Sequence, residues 1–288
     1  MKKRIITLLL TAALILTLFP ATAAAATTLE VGSGLYPLSE KGLNDAISAA
    51  NNGDTIRFMA DGTIKLTDKL SINKSITLDL NGHKVGLSTI YLLSIASGYS
   101  VTVKGSGTIT TNTFIQVENT AALTVQDGAV IEGAVIEAAG FSTPALINYG
   151  TVSMTGGSLR QTNGRHVLIN AGAATFHNVT IETSNGSGWV IWADGGTLTL
   201  NNCITTNNFT EPMTGTGPSV ILVANSAAVT LNDGSVTAPA GSTLPAILVH
   251  KNATLTNNGA AITGGYVIKH SDLSVSVSSG AGKVTLAQ

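Results

Sequence analysis

Few side chains in this chain are equipped for chemistry, and those few stand far apart. None of its 16 acidic residues adjoins another, and Asp79, Asp127, Asp194 and Asp233 are scattered. Cleavage of a glycosidic bond by acid and base needs two carboxylates held across that bond, so only the fold could assemble such a pair. Glu132, Arg160 and Glu182 form the one ordered charge series and are the candidate catalytic residues. Trp189, with His166 and Arg165 near it, is the candidate platform for a sugar ring, because an aromatic ring offers an apolar body beside a wet edge. Lys251, Lys269 and His270, beside His250, make two basic pairs that would attract an acidic glycan. The single Cys203 excludes an internal disulfide and reads as a small buried apolar residue. These residues imply no metal and no cofactor.

The elements that must position these residues form a repeat. Strand-like segments followed by turn residues recur, as in Ser100-Val-Thr-Val-Lys-Gly105, Ala122-Leu-Thr-Val-Gln-Asp-Gly128 and Thr151-Val-Ser-Met-Thr-Gly156. Between Val101, Leu123, Val152, Leu198, Val229, Thr254 and Val275 the steps are 22, 29, 46, 31, 25 and 21 residues. The longest step hides a degenerate copy at Ala174-Thr-Phe176. A second row follows the turn: Thr108-Ile-Thr110, Val130-Ile-Glu132, Ser158-Leu-Arg160, Thr180-Ile-Glu182, Cys203-Ile-Thr205, Ser235-Val-Thr237 and Ala261-Ile-Thr263. A third holds Phe114–Val117, Ala145–Asn148, His166–Ile169, Trp189–Trp192, Val220–Val223, Ala246–Val249 and Tyr266–Lys269. A period of this size means stacked coils. Three strands to the coil predict an all-β, right-handed parallel β-helix, with like residues about 4.8 Å apart from coil to coil.

Stacking turns scattered residues into columns. Thr110, Glu132, Arg160, Glu182, Thr205, Thr237 and Thr263 are expected in one outward column, a threonine face interrupted by a charge ladder. His166 and Trp189 are expected as neighbours, and strand alternation places Trp189 and Trp192 on opposite sides, one of them in the core. Asn119, Asn148, Asn170, Asn202, Asn225, Asn232, Asn252 and Asn258 are expected to cap turns. Residues 38–50 predict a short capping helix with Leu43, Ala46, Ile47 and Ala50 on one apolar stripe. Ser39 is its N-cap, and Asn52-Gly53 ends it.

Gly53-Asp-Thr-Ile-Arg-Phe58 and Leu70-Ser-Ile-Asn-Lys-Ser-Ile-Thr-Leu-Asp-Leu-Asn-Gly-His-Lys-Val85 resemble the opening coils of pectin-lyase-like β-helix proteins. The resemblance is strongest over residues 53–85 and looser beyond. It implies the fold but no single activity, since that superfamily spans polysaccharide lyases, glycoside hydrolases, phage tailspikes and adhesins. A Ca²⁺ ion would follow only from the lyase reading. The motifs Asn-Thr-Asp, Asp-Asp, Gly-His-Gly and Arg-Ile-Lys of the polygalacturonases are absent. Trp189-Val-Ile-Trp-Ala-Asp194 lacks the His that a pectate-lyase strand motif carries after its Asp.

Met1-Lys2-Lys3-Arg4, the apolar run Ile5–Phe19 and the alanine-rich segment to Ala26 read as a secretory signal peptide cleaved between Ala23 and Thr27. The run is shorter than the ~20 residues of a spanning helix. The expected organisation is a signal peptide over 1–26, a segment with the capping helix over 27–54, and the β-helix over 55–288. Cleavage leaves 12 basic against 16 acidic residues, a net charge of −4. That balance excludes a nucleic-acid binder, which needs a dense basic patch. The expected product is a secreted or cell-surface, non-catalytic module that binds a glycan or another surface, or serves as an adhesive or structural element, with a polysaccharide or cell-surface glycan as the expected partner. It has no membrane span after cleavage, and its oligomeric state is open. A divergent lyase or hydrolase of acidic polysaccharide is the alternative.

Overall fold

The computed structural model describes residues 28–88, 93–126, 128–133, 143–162, 166–184, 188–210, 218–250, 252–264, 266–268 and 279–280. Over these the repeat is a parallel β-solenoid with three strands to the coil. The first row runs from Thr55–Phe58 through Ser100–Lys104 and Thr254–Asn258 to Ser279–Gly280, and the second from Gly62–Lys65 to Ala261–Thr263. The third, from Leu70–Ile72 to Tyr266–Ile268, is a separate nine-stranded sheet paired in parallel, coil on coil. The first two rows merge because Thr197–Asn207 and Ala228–Thr237 run through the corner between them unbroken.

Alternation of side chains makes the core. Val101, Leu123, Val152, Ala174, Leu198, Val229 and Leu255 stand in one register and all point inward, fully buried. Each large apolar side chain so buried contributes about 1.5–3 kcal/mol. The corner from the first row to the second is turned at left-handed residues, among them Asn178 (φ 55°), Asn202 (φ 51°) and Asp233 (φ 58°). Asparagine and aspartate tolerate that conformation because the side chain bonds locally.

The N-terminal end is closed twice. Helix α1, Glu40–Ala49, is capped by Ser39 Oγ, which accepts from Gly42 N at 3.1 Å. It packs Leu43, Ala46 and Ile47 onto the first coil, and Leu43 and Ile47 share an apolar void with Phe58, Leu70 and Ile72. Glu40 ties the helix down by accepting from Thr67 N and Thr67 Oγ1 at 3.0 and 2.7 Å. The helix ends at Ala49, with Ala50 already extended, not at Asn52-Gly53 as expected. A hairpin of Thr28–Val31 and Gly34–Pro37, absent from the sequence reading, pairs antiparallel with Thr55–Phe58. It occupies the edge at which another strand would otherwise add.

In the first and second rows register departs from expectation at two places, and in the third row His166, Trp189 and Tyr266 each stand one residue away from the expected position. Leu255, not Thr254, stacks on Val229. In the second row the unit is Ile204-Thr205-Thr206, one residue later than expected. Thr206 joins the outward column with Glu182 and Thr237, while Thr205 is fully buried and Ile204 is 50% exposed. The cause is the turn. From Asn178 to Thr180 and from Asn202 to Ile204 the count is the same, so Ile204 takes the outward position in spite of its hydrophobicity.

Candidate functional site

Variable connections fall at one corner, between the second and third rows. Gly133 is followed by the strand Leu146–Asn148, Thr183 by Ile191–Ala193 and Asn207 by Ile221–Val223. Insertions gathered on one side of a solenoid mark the side free to acquire contacts. An internal polar column at this corner was missed in the sequence: Thr111, Gly133, Gln161, Thr183 and Asn207 lie in register and are buried. Gln161 Nε2 donates to Thr143 O at 2.7 Å, and Asn207 Nδ2 donates to Ser219 O at 2.7 Å and Gly188 O at 3.2 Å. These amides satisfy backbone carbonyls at the loop bases and so position them. Their signal was polarity at an inward-facing place of the strand.

Beyond that corner, on the outer face of the third row, three rings gather. His166 lies 5.2 Å from Trp189 and 6.0 Å from Trp192, and the two indoles meet edge to face at 5.7 Å. His166 Nδ1 is 3.0 Å from Trp189 O. Both tryptophans are half-buried and rest on Leu222, Ala224 and Leu248, a cluster separate from the core. The expectation that one tryptophan lies in the core is therefore corrected. Val190 and Ile191 are both fully buried, so the chain turns the corner between them and alternation restarts. Trp189 precedes the corner and Trp192 follows it, and both face out. His166 and Trp189 are neighbours as expected, but each sits one residue before the position of Ala145, Val220 and Ala246. Trp192 Nε1 is buried with no hydrogen-bond partner among the described residues, a deficit of about 1–3 kcal/mol. Arg165 lies outside the described residues, as do Lys251, Lys269 and His270; His250 is exposed.

The charge series stacks as expected, Thr110–Glu132–Arg160–Glu182, but it is not a continuous ladder. Arg160 Nε donates to Glu132 Oε2 at 2.7 Å, Nη2 reaches the same oxygen, and Thr110 Oγ1 donates to Oε1 at 3.3 Å. Glu132 is 8% exposed, its carboxylate fully engaged. Glu182 instead accepts from Asn208 Nδ2 at 3.1 Å. Two coil steps put the carboxylates about 9–10 Å apart along the column. Arg160 fills the gap where a substrate and a water would sit.

The complete threonine face lies on the first row, not the second. Thr77, Thr102, Thr124, Ser153, Thr175, Thr199, Thr230 and Thr256 stand in a single outward register. Coil-on-coil packing of β-branched side chains accounts for it. The asparagines act as expected: Asn148 donates to Asn170 Oδ1 at 2.7 Å, and Asn258 and Asn232 extend a ladder from Asn201. Asp194 belongs to a turn, accepting from Asn225 Nδ2 at 2.5 Å. Burial pushes the Cys203 thiol up from its usual range and keeps it unreactive. Among the described residues no three of His, Cys, Asp and Glu gather closely enough to hold a metal ion. No helix among them is long and apolar enough to cross a membrane. Comparison with protein-family models, curated proteins and solved structures finds no match.

Proposed function

We propose that the chain is an extracellular, non-catalytic β-helix module that binds a glycan on the outer face of its third row. The observation that carries this reading is the His166–Trp189–Trp192 cluster, three rings on the outer face beside the corner with the variable loops. Such a surface suits the apolar face of a sugar, and the unpaired Trp192 Nε1 would gain an acceptor from a ligand hydroxyl if the ring shifted. The signal-peptide-like N-terminus supports an extracellular site of action, and the resemblance over residues 53–85 supports the pectin-lyase-like superfamily. Fold alone does not confer activity. The engaged state of Glu132 favours binding over cleavage, because a general acid or base must be free to exchange its proton.

The test is a glycan array probed with the mature protein, followed by incubation with pectins and other uronic-acid polymers. Hits on the array without product formation support the reading. Ultraviolet-absorbing unsaturated products would establish a lyase, with Ca²⁺ the first addition to try. New reducing ends without ultraviolet-absorbing products would establish a hydrolase. A blank array would leave a purely structural or adhesive role.

A further inference from the structure

We infer that the second row carries, at its first coils, a separate notch for a neutral saccharide unit. The observations behind it are independent of the aromatic cluster. Thr63, Gly86 and Thr110 stand in register on three successive coils. Gly86 has no side chain, which leaves a gap of two coil spacings, about 9–10 Å, between the threonines. The result is a cleft of about 470 Å³, within the range that holds small ligands. Gly86 is not among the glycines with left-handed φ, so its backbone does not require glycine. A Cβ there would lie 2.9 Å from Thr63 Oγ1, an exposed side-chain hydroxyl that can give way, so an added methyl would stand in the notch without moving the backbone.

The walls supply hydrogen bonds and cancel in charge. Asp61 and Lys84 line one side on adjacent coils. Asp61 Oδ1 is held by Lys84 N at 3.0 Å and paired with His83 Nδ1 at 2.9 Å, which leaves Oδ2 as an acceptor without a partner among the described residues. The Lys84 ammonium is an exposed donor. On the other side Asn112 donates to Ser88 Oγ at 3.5 Å, which leaves its side-chain carbonyl without a partner among the described residues. An anionic ligand would meet Asp61 and a cationic one Lys84, so neither gains a net field. A polyol loses nothing by neutrality and can use acceptors and donors on both walls. Among the described residues no aromatic side chain lines the notch, so the contacts they offer are to hydroxyls and the expected affinity is weak, in the roughly millimolar range.

The test is a ¹H–¹⁵N NMR titration of the mature protein with methyl glucosides, methyl β-galactoside and cellobiose. Saturable shifts of the Thr63, Gly86 and Thr110 amides are expected. Gly86→Ala should weaken binding by about tenfold or more, as a misplaced methyl in a fitted site does, with melting unchanged. Should that variant fail to fold, Asn112→Ala and Thr63→Val decide. No saturable shift at these amides with any of the sugars, or full affinity in the variants, overturns the proposal. Shifts confined to Val190–Ala193 would support the aromatic site and overturn the notch. Shifts confined to the notch would support it and leave the aromatic site to be judged by the glycan array.

Discussion

Replacing Arg160 by alanine should expose how much of the Glu132–Arg160 contact is structural. The Glu132 side chain is 11% exposed and Arg160 37%. After the change the carboxylate keeps, among the described residues, only Thr110 Oγ1, at 3.3 Å, as a side-chain partner. Breaking a fully buried pair costs about 3–5 kcal/mol, while exposed pairs are worth about 0.2–1 kcal/mol. With one partner buried and the other a third exposed, the expected loss is about 2 kcal/mol. The assay is a double-mutant cycle of Arg160→Ala, Glu132→Gln and both, followed by urea denaturation monitored by circular dichroism. The double variant should recover part of the loss, since it leaves no unpaired charge, giving a coupling of about 1–2 kcal/mol. A coupling below about 0.3 kcal/mol would show an ordinary surface pair and refute the reasoning.

Thr205 Oγ1 is buried without a partner among the described residues, so Thr205→Val, which replaces the hydroxyl by a methyl, should raise stability by about 1 kcal/mol. Calorimetric melting checks it, and a lower Tm contradicts it. Hydrogen bonds from the Thr67 side chain and then its backbone hold Glu40 below the usual glutamate range. The resulting stabilisation is present above the unfolded-state pKa and is lost as pH falls through the folded one. Glu40→Gln should therefore flatten the acid limb of a melting-temperature profile, and an unchanged limb would show that the contact is not felt. The Cys203 thiol, buried and raised, should react with a disulfide reagent only on unfolding. Rapid labelling of the native protein would contradict its placement.

Much of the scaffold was legible because burial enforces a period of two within strands and one coil between them. The rows, α1 and its Ser39 cap follow from that. The departures have separate causes. Hydrophobicity points Ile204 inward, whereas counting from the left-handed turn at Asn202 sets its register outward; matching Ala253 to Ala228 selects Thr254, where burial selects Leu255. Trp189 and Trp192 were assigned by alternation, which fails where two successive residues, Val190 and Ile191, are both buried at a corner. The hairpin over Thr28–Val31 and Gly34–Pro37 carries too short a pattern to stand out. The Gly86 notch was invisible because its signal is a side chain missing from one coil, meaningful only beside Thr63 and Thr110.

Both tryptophans of the chain lie in the proposed glycan site, so tryptophan emission reports on that site alone. The most direct test is a fluorescence titration of the mature protein with the strongest glycan-array hit, repeated on Trp189→Ala. The account expects a saturable change in emission, and loss of binding in the variant with its circular dichroism spectrum retained. Binding that leaves the emission untouched, or that survives in Trp189→Ala, would contradict it.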